Sequence, residues 1–223
     1  MGHRLSKTAS HSNSPGQPEP LSDAAAAVPM AGREALLGAP HMRSLEAYRA
    51  ALLPRWPRMP HFDPLDGGAG ARMLVLLESP APGADELRFV SRDNATGTGR
   101  NLRRFLAAAG IAREHTVLWN AVPGILHAPG ARNRAPRAAE VAAGLRELPA
   151  LLDHLPRLRL VLLAGRVAAR AAPLLSSTRP ALAMLTMPHP SPVYVNTNPT
   201  IAAGMLEVLR RAQTLLAADG AGE

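Results

Sequence analysis

Three polar residues in this 223-residue chain stand where an apolar run stops: Glu78, Asn120 and His189. Glu78 follows Met73-Leu74-Val75-Leu76-Leu77 and opens the stretch Glu78-Ser79-Pro80-Ala81-Pro82-Gly83. Asn120 closes Thr116-Val117-Leu118-Trp119 and precedes Ala121-Val122-Pro123-Gly124. His189 lies just past the run that ends at Met187, in His189-Pro190-Ser191-Pro192. A carboxylate, an amide and an imidazole can between them activate a water, read the polar edge of a ring and stabilise a developing anion. The histidine sits on a stiff loop, because a residue before proline is pushed towards extended conformations and proline has no N–H to donate. Each residue also has a purely structural use. Glu78 can pair with one of many arginines, Asn120 can cap a turn, and His189 can be an ordinary loop histidine.

The elements that would position these groups can be read from hydrophobic pattern. Short apolar runs at 73–77, 116–119, 158–164 and 182–187 predict strands. Helical spacing predicts helices over 43–53, 101–109, 138–155 (with Pro149 a point where it can break), 165–172 and 199–218. Residues 54–71, rich in Pro and Gly, predict a loop. Strands alternating with helices imply an α/β fold: a three-layer α/β/α sandwich around a central, mostly parallel four-stranded sheet. In such a sheet all the strands' C-terminal ends lie on one side, where open α/β sheets bind ligands. Glu78, Asn120 and His189 are therefore expected to converge. Residues 1–41 mix Ser, Pro, Gly and Ala without a period and predict a disordered tail, leaving 42–223 as the folded domain.

Composition narrows the partners. The absence of cysteine excludes disulfides, thiolate metal sites and cysteine-held iron–sulfur clusters. The histidines show no metal-ligand spacing, so neither a metal nor a cofactor is expected. No apolar stretch approaches the roughly 20 residues that span a bilayer, and no signal-peptide core follows Met1, so a cytoplasmic protein without a membrane partner is expected. The net charge of +8 suits a polyanion such as nucleic acid. It is nearly all arginine, with Lys7 the only lysine, and a GC-rich genome would produce the same bias. A monomer is expected in the absence of a coiled-coil or edge-strand signal.

Five segments together resemble the uracil-DNA glycosylase superfamily over most of 72–217. Leu77-Glu78-Ser79-Pro80-Ala81 is similar to its first motif, closest to the Gly-Glu-Ala-Pro-Gly form of the family 4 enzymes. Phe89-Val90-Ser91-Arg92 resembles the segment whose phenylalanine stacks on the base. Val117-Leu118-Trp119-Asn120 resembles the strand ending in the base-reading asparagine. Leu163-Ala164-Gly165-Arg166-Val167 resembles the following strand–glycine–helix step, and His189-Pro190-Ser191-Pro192-Val193 the histidine motif with its wedge. Two departures stand out: Leu77 replaces the opening glycine, and Ser79 stands where family 1 enzymes have aspartate.

The resemblance implies a base extruded from DNA, stacked on Phe89 and read by Asn120, with Ser79 and Pro80 beside it. Asn120 would accept from uracil N3–H and donate to O4, an order that cytosine reverses. Glu78 and His189 would be the catalytic pair. Glu78 orients water or stabilises the sugar cation, and His189 donates towards uracil O2. Val193 with Tyr194 would fill the vacated stack. Ser191, Gly99, Arg100 and Gly165 would lie along the DNA, the first turn of the helix near Gly99 offering backbone N–H groups to a phosphate. The implied activity is hydrolytic excision of uracil from single- or double-stranded DNA to leave an abasic site. Two alternatives stay open: a non-catalytic binder of damaged DNA or a nucleobase, and a glycosylase for another deaminated base such as hypoxanthine or xanthine.

Overall fold

Four apolar runs pair side by side because every backbone N–H and C=O in a buried run needs a partner. The computed structural model describes residues 27–82, 87–128, 131 and 134–218. In chain order the elements are α1 (Arg43–Leu52), β1 (His61–Phe62), β2 (Met73–Leu77), β3 (Phe89–Val90), α2 (Gly97–Ala108), β4 (Thr116–Asn120), α3 (Ala138–Leu145) and α4 (Leu148–Asp153). Then come β5 (Leu160–Ala164), α5 (Arg166–Ala169), α6 (Ala172–Thr178), β6 (Ala183–Met187), α7 (Pro192–Val195) and α8 (Pro199–Ala218). The main sheet has the order β4-β2-β5-β6 and is parallel throughout. Every residue of β2, β4 and β5 is buried. Successive side chains point to opposite faces, so both faces of the sheet are covered and the expected layered α/β architecture is present. β6, at the edge, is only partly buried.

The register sets which residues leave the sheet together. Leu77 pairs with Asn120, Leu76 with Leu163, and Ala164 with Met187. The four strands therefore exit on one rim within a residue or two of one another.

Local departures from the expected elements have simple causes. Pro149 does not break its helix from within. It lies in the first turn of α4, where a missing N–H costs nothing, and the chain kinks just before it. Pro173 does the same for α6, a helix the hydrophobic pattern did not announce. The expected loop 54–71 contains β1, which pairs in parallel with β3, His61 against Phe89 and Phe62 against Val90. This two-stranded ribbon is joined to the main sheet by the Phe62 ring, stacked on the Trp119 ring of β4 with centroids 3.8 Å apart.

The largest correction concerns the tail. Its described part, residues 27–41, includes Arg33, which is 1% exposed. Arg33 donates to Asp63 at 2.6 Å and to Asp93 at 2.9 Å. Burial of a guanidinium demands compensating carboxylates, and those lie deep in the folded domain, so the folded chain starts before residue 42. Residues 1–26 of the expected tail lie outside the described residues.

Arg33 belongs to a buried ionic cluster. Arg113 also reaches Asp63 and Asp93, each at 2.6 Å, and its Nε lies 3.0 Å from Asp66. Arg92 lies 3.7 Å from Asp66 and donates to the Thr116 hydroxyl. Burial pushes the Asp66 carboxyl up to about 7; Arg92 and Arg113 oppose this, and the Asp63 and Asp93 carboxylates add to it. A carboxyl raised in the folded state binds its proton more tightly there than in the unfolded chain. Its contribution to stability is present below the unfolded value near 4 and is lost as pH rises towards 7. Asp66→Asn is therefore expected to remove this part of the decline. Urea unfolding at pH 5 and pH 8 should show a smaller loss in the variant than in the wild type; an equal loss in both refutes the assignment.

Candidate active site

The rim where the strands end opens into a cleft of about 1400 Å³. Its lining includes Glu78, Asn120 and His189, so three polar residues distant in sequence share one cleft. Asn120 and His189 leave the two outer strands, three strand spacings apart, which at ~4.8 Å per spacing is about 14 Å of backbone separation. Glu78 leaves the strand beside Asn120.

The polar loops are extensions of the sheet ladder. Ala121 N–H donates to the Leu77 carbonyl at 2.8 Å, and Val122 N–H to the Glu78 carbonyl at 3.0 Å. These bonds tie the exits of β4 and β2 together and fix Glu78 relative to Asn120. Asn120 is 3% exposed, and among the described residues its amide makes no side-chain hydrogen bond. A buried amide facing a cleft with free donor and acceptor capacity is suited to a complementary ring edge.

His189 is positioned from two sides. Gly165 N–H donates to the Met187 carbonyl at 2.9 Å, and the buried Asn101 side chain on α2 donates to the Pro190 carbonyl at 3.0 Å. Gly165 has a φ of +96°, and a Cβ there would come within 2.9 Å of His189 Cβ. Glycine is thus needed both for its backbone conformation and for the imidazole's place. Gly97 at the start of α2 plays a similar part: a Cβ there would meet the Pro192 ring at 2.0 Å. The Thr96 hydroxyl caps α2 by accepting from Gly99 N–H.

Burial moves the two titratable groups in opposite directions. It pushes the Glu78 carboxyl up, with Arg166 partly opposing. It pushes the His189 imidazole down, towards a neutral ring that donates from one nitrogen. Phe89, buried in β3, lines the same cleft, and its carbonyl accepts from the Asn94 amide at 3.0 Å. Val193 and Tyr194 on α7 are 72% and 42% exposed at the cleft's edge.

A family model described as the uracil DNA glycosylase superfamily matches residues 66–211. The chain belongs to this superfamily. The superfamily match spans every residue singled out from the sequence as a site residue. Among solved structures, the chain is similar to the solution NMR structure of a "putative Uracil DNA glycosylase" from Methanosarcina acetivorans. The two share 15% identity over 70% of this chain and 98% of that one, with a TM-score of 0.38. No curated protein matches.

Of the expected glycosylase site residues, Glu78, Ser79, Pro80, Phe89, Asn120, His189, Ser191, Val193, Tyr194, Gly99 and Gly165 all line the cleft. Arg100 does not; it is exposed on α2. Sequence reasoning missed Asn101, Arg166 and Met30. Asn101 is a buried polar residue on a helix face of otherwise apolar neighbours, a signal that was legible. Arg166 directly follows the singled-out Gly165 and opens α5 towards the cleft. Met30 carried no signal at all.

Gly165→Ala is expected to destabilise the fold by about 1–3 kcal/mol through backbone strain and to displace His189. Thermal unfolding should show the loss, and the histidine ring resonances in an NMR titration should report a changed environment. Wild-type stability together with an unshifted His189 titration would show that this glycine does not hold the ring.

Proposed function

We propose that this protein excises uracil from DNA by hydrolysis of the N-glycosidic bond, leaving an abasic site. The observation that carries the reading is that a buried amide without a hydrogen-bond partner among the described residues, a part-buried carboxylate and an imidazole line one cleft with Phe89. A base inside a duplex is out of reach, so it is flipped out or taken from a single strand, at a cost of a few kcal/mol. Stacking on Phe89, worth about 1–3 kcal/mol, offsets part of that cost. Val193 and Tyr194, apolar and exposed at the edge, fill the gap in the stack.

Specificity follows from the amide. Its oxygen accepts from uracil N3–H and its nitrogen donates to O4. Cytosine presents the reverse order and would leave buried groups unpaired. In the reaction the sugar C1′–N1 bond breaks and its electron pair leaves with the base. The water oxygen bonds to C1′, and a water proton is released. Glu78 faces the sugar cation or the attacking water, and a neutral His189 donates to O2 of the departing anion. Arg88 and Arg166 both line the cleft, and their positive charge suits the phosphates of a bound strand.

The assay is incubation with a labelled uracil-containing oligonucleotide, single- and double-stranded, followed by alkaline cleavage of abasic sites. Scission dependent on uracil is expected. Tight binding without scission would instead favour a non-catalytic reader, and scission confined to hypoxanthine or xanthine another deaminated base. Asn120→Asp should lower uracil excision by about 10²-fold or more and admit cytosine; undiminished uracil excision would remove Asn120 from the base-reading role.

The rate should also rise with pH through a value above the ordinary range of a glutamate, because Glu78 acts ionised and burial raises it. That acid limb should vanish in Glu78→Gln and shift upwards in Arg166→Met, which loses the opposing cation. An acid limb of kcat/KM that is the same in all three proteins would mean that another group produces it.

A further inference from the structure

The superfamily match begins at residue 66, yet the cleft has a wall from earlier in the chain: Met30 lines it. The reason is Arg33, whose guanidinium makes contacts in two directions. Towards its own segment it donates to the Val28 carbonyl at 2.7 Å and the Pro29 carbonyl at 3.2 Å. Towards the domain it donates to Asp63, to Asp93 and, at 3.0 Å, to the Ser91 hydroxyl. Ser91 lies two residues beyond Phe89, and both line the cleft. One buried guanidinium therefore clamps residues 28–30 against the segment that carries the proposed base-stacking ring. Met30 itself is left 37% exposed, with a flexible, polarisable side chain of the kind that packs well against aromatic faces.

We propose that residues 28–33 form a strap that builds one wall of the nucleobase cleft, with Arg33 as its positioning residue and Met30 as the side chain that touches the bound nucleotide. The inference rests on the glycosylase reading of the cleft. It extends the site to a segment outside the family match, and it gives the ionic cluster a second task besides packing. Asp63 and Asp93 each keep Arg113 when Arg33 is removed, so the cluster is not left without a cation.

The test uses the full-length protein. Because the chain has no cysteine, Met30→Cys creates a unique thiol. Maleimide labelling of M30C is expected to slow about tenfold when the protein is saturated with a single-stranded oligonucleotide carrying 2′-fluoro-2′-deoxyuridine, saturation being set by fluorescence anisotropy. Ser176→Cys, at an exposed position of α6 outside the cleft lining, should label at one rate in both conditions. Arg33→Met should raise KM for a uracil oligonucleotide about tenfold with kcat within about twofold of wild type, and Met30→Ala should move KM the same way to a smaller extent. Arg33→Lys should not restore KM, because a single ammonium cannot span the same set of acceptors.

Equal labelling of M30C with and without bound oligonucleotide overturns the proposal, as does a wild-type KM in both R33M and M30A. If R33M does not fold, the two changes at the part-exposed Met30 still decide the matter. A wild-type protein that binds the oligonucleotide but leaves uracil in place sinks the glycosylase reading, and the strap is then judged by M30C protection alone.

Discussion

Parallel pairing in a fixed register is the constraint on which the cleft depends. In the sheet β4-β2-β5-β6 no strand reverses, so every exit is on one rim, and residues distant in sequence have no other rim to reach. The register decides which residue of each strand is last inside. Because side chains alternate with period two, a slip of one residue between β2 and β4 would turn Asn120 to the face opposite that of Leu77, its partner in the register. The ladder also continues past the strands, with Val122 bonded to the Glu78 carbonyl and Gly165 to that of Met187. The polar loops are thus held by the same hydrogen bonds that hold the core. A site on such exits needs few stabilising contacts of its own, and among the described residues the Asn120 amide makes no side-chain hydrogen bond.

The ribbon of β1 and β3 needs different support, since two residues per strand bury too little to hold their own place. Two things supply it. The Phe62 ring stacks on Trp119, and the Arg33, Arg92, Arg113 and Asp63, Asp66, Asp93 cluster ties the loops that flank the ribbon to the N-terminal segment and to the turn before β4. Ion pairs taken out of water return little net stability, because desolvation cancels much of the attraction. Breaking one is costly all the same, so the cluster restricts where its segments can sit. Its members come from four separate stretches of chain, and the arrangement that satisfies all of them is the one that sets Phe89 at the cleft.

The same division explains what the amino-acid pattern could reveal. β2 and α8 have the bounds expected for them, because an unbroken apolar run and a long helical stripe are determined locally. Glu78, Asn120 and His189 were legible as a group because their strands share a direction, a property of topology and not of any one motif. β1 and β3 were not legible, since two residues show no period. Pro173 hid α6, because a proline reads as an end where it is in fact a beginning. Arg33 was hidden most deeply. Its segment has the composition of a linker, and its burial is decided by carboxylates thirty and sixty residues away.

Burial acts on the carboxyl and the imidazole of the cleft in one sense, towards neutrality: the Glu78 carboxyl rises and the His189 imidazole falls. For the histidine this costs the proposed chemistry nothing. A leaving pyrimidine anion needs a donor, and a neutral ring fixed by Gly165 and the Asn101–Pro190 bond supplies one without a second charge to desolvate. For the glutamate it would be a handicap, because only the ionised form can face a sugar cation. Arg166, on the exit of the neighbouring strand, works against the shift. A cation near the carboxylate also weakens the field the sugar would feel, so proximity has an optimum. Arg166 is exposed, and solvent screens it more than it screens a part-buried pair. An exposed arginine at this place can keep the carboxylate charged while leaving most of its charge directed at the cleft.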